Sequence, residues 1–309
     1  MSDNARDRLA AALSAWGRKC DAVSHSDGGA NSRIFLLSDE TGACFCAKVH
    51  QQDAEGPRYM REKKFYAAAK QAVRGRIPED LHWDDERATA FFEFVEGTMG
   101  FDPSEQDVLQ AGEFILRLQK ADREELWPAS EAAMEPEDHA RILEQRLLSL
   151  ASLSDGEVAS FVREHLSPAY EQLLPRIRPN RAAPIVSPSD FGFHNVLRRA
   201  DGRLCVFDFE HAGMDDPAKL VCDFFVRPDS GVRIDWLDGF CQAAGFGHDV
   251  KERALGLMDL YRLKWACIAL NEFTPEGCRR RGFAEADAPG RREAQLEKAR
   301  RLVREVTGK

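Results

Sequence analysis

Between Val196 and Gly213 the chain reads VLRRADGRLCVFDFEHAG. Two short apolar runs flank an Asp201-Gly202 pair, which is a β-hairpin signal because that dipeptide accepts the positive φ a tight turn needs. The hairpin is set among helical patterns: Ile142–Leu150 and Val158–Leu174 before it, and the stretch from Trp236 to the end after it. Asp208 interrupts the second run between Phe207 and Phe209 and is expected to lie in the second strand. An unpaired carboxylate there would be costly, so it needs a partner.

The first hundred residues have a different character. Runs around Arg33–Leu37 and Ala43–Val49 predict two strands joined by the turn-forming SDETG. GPRYMREKKFYAAAKQAV predicts a helix, and RIPEDLHWDDERATAFFEFVEG predicts two more strands around an acidic turn. After Gly97 the pattern becomes helical, with Asp102 as N-cap, Pro103 at the first helical position and Glu105 as the capping-box acid. Val108, Ala111, Ile115 and Leu118 then mark one apolar face. The expected class is α+β: a β-rich N-terminal lobe over 1–96, a hinge near Glu93–Gly97, and a mainly helical C-terminal lobe over 97–309.

Composition removes several functions. The 309 residues carry 43 Lys and Arg against 52 Asp and Glu, a net charge of −9. That balance argues against general affinity for nucleic acid or anionic membranes, both of which need a basic surface. The N-terminus is amphipathic without the apolar centre of a signal peptide, and no stretch reaches transmembrane length. The eight cysteines form no CxxC pair and several sit in apolar runs, as reduced core thiols do. The expectation is a cytoplasmic protein.

SPSDFGFHNVL, from Ser187 to Leu197, places Asp190 at the start of a short loop and Asn195 at its end, just before the hairpin. Phosphoryl transfer needs a group that orients the attacking hydroxyl and accepts its proton, and oxygen ligands for Mg²⁺. Pairing the hairpin strands would bring Asn195 and Asp208 together, two hard oxygen ligands of the kind Mg²⁺ prefers. Taken singly, each residue could instead cap a turn or end a strand.

SDFGFHNVL with VFDFEHAG resembles the catalytic loop and metal-binding segment of the aminoglycoside phosphotransferase/choline kinase-like family, relatives of the protein kinases. The resemblance implies a bilobal protein-kinase-like fold, Asp190 as catalytic base, and Asn195 and Asp208 as Mg²⁺ ligands, with Glu210 on a second acidic position. GMDDPAKLVCDFF is similar to the family's Gly-Asp-Pro segment, in which an Asp steadies the catalytic loop; Asp216 is the match, with Asp223 as a second candidate. The N-terminal half agrees. Gly28, Gly29, Ala30, Asn31 and Ser32 precede the first strand as a small-residue loop whose backbone N–H groups could cover phosphates. Lys48 is the one charge in the apolar CFCAKV, placed to reach the α- and β-phosphates. On the kinase pattern Glu62 holds that Lys, with Glu55 as the other candidate. FFEFVEG resembles the hinge, where the Glu93 carbonyl and Val95 N–H would meet the adenine edge. One departure stands out: the family's usual His two residues before the catalytic Asp is Pro188 here, so either His194 orients Asp190 or Pro188 holds the loop sterically.

These readings imply an ATP- and Mg²⁺-dependent phosphotransferase acting on a hydroxyl of a small polar acceptor, a sugar or amino-sugar. The alternative is a pseudokinase that binds nucleotide or a partner without catalysis. YRLKWACIALNEF mixes aromatic and polar groups at helical spacing, through Tyr261, Lys264 or Trp265, Ile268, and Asn271 or Glu272. That stripe fits an acceptor pocket or an amphipathic core helix.

Overall fold

A computed structural model describes residues 5–26, 32–51, 58–153, 156–177, 180–275, 277–278 and 290–308. Helix α1 (Ala5–Trp16) leads into strands β1 (Cys20–Ser26), β2 (Ser32–Asp39) and β3 (Cys44–His50). Helix α2 (Arg58–Ala69) follows, then β4 (Asp80–Asp84) and β5 (Thr89–Glu93). The five strands form one antiparallel sheet in the order β1-β2-β3-β5-β4.

The alternation of a strand explains how this sheet divides its residues. Successive side chains point to opposite faces. Phe35 and Leu37 of β2, and Phe45, Ala47 and Val49 of β3, pack with Leu9, Ala12 and Leu13 of α1 into a separate small core. Ile34, Leu36, Cys46 and Lys48 consequently face the other way, into a cleft. Lys48 is paired in register with Ile34 on one side and Ala90 on the other. A shift of one residue would bury the ammonium under α1.

The remainder is mostly helical, and Thr98 joins it by exchanging backbone hydrogen bonds of 2.9 and 3.0 Å with Arg198. Helix α3 (Glu105–Leu118) buries Val108, Ala111, Ile115 and Leu118, the face the sequence predicts. Its cap differs from expectation. Ser104, with ψ 167°, is the N-cap, and Asp107 closes the capping box; the helix starts two residues after Pro103. A short Ser hydroxyl reaches the third N–H, and Asp107 returns a bond to the Ser104 backbone. Asp102 instead gives its carbonyl to Arg198.

Helices α4 (Asp138–Ala151), α5 (Glu157–Phe161) and α6 (Ser167–Leu173) come next, the last two joined through a π-turn at Val162–Leu166. Two small ribbons then carry the site. Strand β6 (Ile185–Ser187) pairs with β9 (Gly213–Asp215), and β7 (Val196–Arg198) pairs with β8 (Leu204–Val206). Gly202, at φ +79°, turns the β7–β8 hairpin as the Asp-Gly signal requires. Helices α7 (Pro217–Val226), α8 (Leu237–Ala243), α9 (His248–Leu270) and α10 (Arg291–Thr307) complete the main core. In α10, Leu296, Ala299, Leu302 and Val303 are buried. All eight cysteines are free thiols.

Gly213 pairs with Ser187, at the root of the loop that carries Asp190. A Cβ there would run into the Trp127 carbonyl oxygen and the backbone of Ala129. Those backbones are themselves bonded to Met214 at 2.9 Å, so neither can yield. Gly213→Ala is expected to destabilise by about 1–3 kcal/mol, the usual range for overpacking, measured as a lower urea midpoint. An unchanged midpoint would show that this ribbon is not rigid.

Candidate active site

The cleft between the sheet and the helical part has a volume of about 720 Å³. Ser32, Ile34, Lys48, Glu93, Val95, Asn195 and Asp208 all line it. Lys48, 6% exposed, is the centre of its charge. Its Nζ lies 2.8 Å from Glu62 Oε2, 2.6 Å from Asp208 Oδ1 and 3.3 Å from Glu210 Oε2. Lys48 and Asp208 are 160 residues apart in the chain.

Glu62 ties this cluster together. One oxygen takes Lys48; the other accepts the Phe209 N–H at 2.9 Å. The Phe209 ring stacks on Phe65 of α2, centroids 4.4 Å apart. Helix α2 therefore holds both the strand Lys and the segment after the hairpin. His50 Nε2 lies 3.1 Å from Glu62 Oε2, and Arg58 Nε lies 4.0 Å from Glu210 Oε1.

Asp208 is not in a strand. β8 ends at Val206, and Asp208 sits beyond it with φ +67°. The ladder continues only as far as a 3.0 Å bond from the Phe207 N–H to the Asn195 carbonyl. Turning into the left-handed region costs of order 1–3 kcal/mol for a residue with a Cβ, and it brings the carboxylate to Lys48 while Phe209 enters the core.

The electrostatics follow from one ammonium among three carboxylates. Burial alone would push Lys48 towards neutrality; Asp208, Glu62 and Glu210 outweigh it and hold the ammonium well above its usual range. Burial also opposes the charge on Glu62, yet Lys48 and His50 bring its pKa down to about 2. For Asp208 burial wins: with Glu210 and Glu62 close by, its pKa is raised despite Lys48. Asp208 is thus the carboxylate whose charge its surroundings oppose, and it lines the cleft. A divalent cation beside it would favour that charge, so the oxygen pair of Asp208 and Asn195 fits Mg²⁺. Asp208 offers a carboxylate 29% exposed to the cleft. Asn195 turns its amide nitrogen to the Asp190 carbonyl at 3.1 Å, leaving its oxygen as the ligand end. Among the described residues no three His, Cys, Asp or Glu side chains form a complete metal cage. Mg²⁺ commonly takes only one or two protein carboxylates, the rest being water and phosphate.

Asp190 lies in the loop between β6 and the turn Phe193–Asn195. Its N–H donates to the Pro188 carbonyl at 2.9 Å, across Ser189 at φ +64°. The carboxylate is held from two sides: Arg227 Nη1 at 2.7 Å from Oδ1, and His194 Nε2 at 3.3 Å from Oδ2. Burial would raise its pKa, but His194, then Arg227 and His211, hold it far below the usual carboxylate range. Such a group is ionised at neutral pH and a weak base.

The model of the phosphotransferase enzyme family matches residues 22–254. The chain belongs to that family. It is a family of small-molecule kinases, and its protein-kinase-like fold is the one described above. Among solved structures, spectinomycin phosphotransferase in complex with ADP and spectinomycin aligns over 97% of both chains, at TM-score 0.66 and 12% identity. A choline/ethanolamine kinase family protein from Mesorhizobium loti aligns over 98% of this chain and 99% of its own, at TM-score 0.57 and 18% identity. A choline kinase from Streptococcus pneumoniae aligns over 97% and 99%, at TM-score 0.61 and 12% identity. No curated protein matches by sequence.

For this phosphotransferase-family chain, the structure brings Lys48, Glu62, Asn195 and Asp208 together and places Asp190 on the same loop as Asn195. Glu93 ends β5 and Val95 follows it, both on the cleft. Among the described residues no protein group accepts the Val95 N–H. Gly28, Gly29, Ala30 and Asn31, and the other acid candidate Glu55, lie outside the described residues; Ser32 opens β2 and is buried at the cleft. Of the two Gly-Asp-Pro candidates, Asp216 caps α7 and pairs with Arg253, while Asp223 takes Lys264 at 2.6 Å and Lys219 at 3.3 Å. No described contact ties either to the Asp190 loop. Arg227 and His211 were not found from the sequence. The only local hint of Arg227 is a cation ending the apolar run PAKLVCDFFV. No described helix is long and apolar enough to cross a membrane.

Proposed function

We propose that this protein is an ATP- and Mg²⁺-dependent phosphotransferase that phosphorylates a hydroxyl of a small polar molecule, a sugar or amino-sugar. The observation that carries the reading is the Lys48 ammonium, brought from the sheet to Glu62 and Asp208 at 2.8 and 2.6 Å. The two parts that meet there are read as a nucleotide-binding lobe over 1–96 and a catalytic, acceptor-binding lobe over 97–309. The family supports a phosphotransferase, and ADP in a neighbour of the same fold supports the nucleotide.

In this reading the free Val95 N–H and the Glu93 carbonyl meet the adenine edge, and Gly28–Ser32 cover the phosphates. Lys48 binds the α- and β-phosphates, kept in place by Glu62. Asn195 and Asp208 would hold Mg²⁺, which would supply charge neutralisation at the phosphates. Asp190 points the acceptor hydroxyl at the γ-phosphorus. As the new oxygen–phosphorus bond forms, the bond to the β–γ bridging oxygen breaks, and the hydroxyl proton passes to Asp190. A carboxylate of such low basicity acts mainly by orientation, taking the proton late, which suits the loose transition state of phosphoryl transfer. His194 stands where the absent loop His would act, with Arg227 as a second support. Free thiols throughout fit a reducing, ATP-supplied compartment such as the cytoplasm.

The test is transfer of phosphate from ATP, with Mg²⁺, to a panel of sugars, amino-sugars and sugar acids, followed by mass spectrometry of the products. A phosphorylated product that disappears on chelation with EDTA supports the reading. Tight nucleotide binding with no acceptor phosphorylated would instead make the chain a pseudokinase.

A further inference from the structure

Every group that touches the Asp190 carboxylate is a donor or a cation. Arg227 Nη1 takes one oxygen at 2.7 Å and His194 faces the other at 3.3 Å. His211 also acts on Asp190 through its charge. Burial would lower its pKa, but Glu210, Asp190 and Asp208 raise it. Among the described residues, the side chains in contact with the Asp190 carboxylate thus present donors at the point an acceptor hydroxyl must reach.

Arg227 is placed as a ligand-binding group would be. It follows the last residue of α7, and its guanidinium lies 4.6 Å from the ring centroid of Trp265 on α9. A guanidinium held over an indole face is restricted in position and keeps its charge. Among the described residues the bond to Asp190 is its one hydrogen bond, although a guanidinium has five donors. Its side chain is 22% exposed. The Trp265 indole N–H is buried and has no acceptor among the described residues. Unused guanidinium donors thus lie beside the group that orients the acceptor. A planar cation with free N–H pairs matches a carboxylate or phosphate bidentately and repels an ammonium.

We propose that the acceptor carries a negatively charged group, a carboxylate or a phosphate, near the hydroxyl that is phosphorylated, and that Arg227, held over Trp265, turns from Asp190 to bind it. The proposal rests on the phosphotransferase reading and narrows its substrate class to acidic polyols. An acceptor anion that draws Arg227 away would also leave Asp190 Oδ1 open to the acceptor hydroxyl.

Matched probes test it: glucose, glucosamine, glucuronate and glucose 6-phosphate, within a wider panel of neutral, cationic and anionic hydroxyl compounds. The wild-type protein is expected to phosphorylate an anionic member with kcat/KM at least about 10-fold above its neutral counterpart, and no cationic member better. Arg227→Gln is expected to raise KM for that acceptor about 10–100-fold, the range for losing a charge-assisted bond, with a smaller change in kcat. Arg227→Lys recovers part of the loss. A purely structural clamp on Asp190 would lower kcat equally for all acceptors and leave KM alone. Carboxylate and phosphate probes tell the two anion types apart.

Binding gives a second readout without turnover. With ADP and Mg²⁺ present, an anionic probe should change tryptophan fluorescence in the wild type and not in Trp265→Phe, while ADP affinity reports that each variant is folded. Preference for a neutral or cationic acceptor overturns the proposal and leaves the phosphotransferase reading standing. So does an anionic KM unmoved by Arg227→Gln. Failure to bind nucleotide or phosphorylate any panel member overturns both.

Discussion

Asp190→Asn is expected to lower kcat by about 10²–10⁴-fold, the span of a positioned acid–base group, while ADP affinity stays at the wild-type level. The amide keeps the shape and can still face His194, so folding should survive. It cannot take the hydroxyl proton, and it removes the ion pair at Arg227. Nucleotide affinity should hold because Asp190 does not line the cleft proposed for the nucleotide, whereas Asn195 and Asp208 do. The measurement is single-turnover transfer beside calorimetric ADP titration. If Asp190→Asn transfers phosphate at the wild-type rate, the assignment of Asp190 is wrong whatever the fold.

Lys48→Met is expected to cost both transfer and stability. Methionine matches the length of the stem but leaves Glu62, Glu210 and Asp208 around an uncharged group. Glu62 and Glu210 are nearly buried, at 2% and 4% side-chain exposure. Removing one partner of a buried pair typically costs about 3–5 kcal/mol, because the remaining charge is left unpaired. Urea unfolding at neutral pH measures it. Lys48→Met/Glu62→Gln should recover part of that loss, since the second change removes one stranded carboxylate, and the two effects should be far from additive. A Lys48→Met protein as stable as the wild type would mean that the carboxylates are neutralised elsewhere, and the electrostatic account of the cleft would fail.

How much of this was legible beforehand depended on the range of the interaction. The hairpin was readable because its turn residues are adjacent and Gly202 alone meets the φ requirement. Lys48 was readable as the single charge in an apolar strand. Glu62 needed the kinase pattern as well, since on α2 it could equally have been a solvated acid. The N-terminus of α3 was misplaced by two residues: Asp102 and Ser104 both have capping chemistry, and the choice was made by Arg198, which takes the Asp102 carbonyl and the Asp107 carboxylate. The stripe on α9 divided. Tyr261 and Lys264 are buried, Lys264 on Asp223, whereas Trp265 carries Arg227.

Period-two alternation and turn chemistry are local properties, and they determined that Lys48 lies on the sheet face opposite Ala47 and Val49 and that Asn195 and Asp208 flank one hairpin. Contacts between distant segments were decided by packing. Arg227 comes 37 residues after Asp190 and meets it only because the end of α7 is laid against the loop, beside Trp265 of α9. The left-handed turn at Asp208 likewise depends on Phe209 finding Phe65, since no residue beside Asp208 in the chain calls for it. The sequence thus carried the chemical groups of phosphoryl transfer, and the tertiary structure decided which cations surround the group that would receive the acceptor.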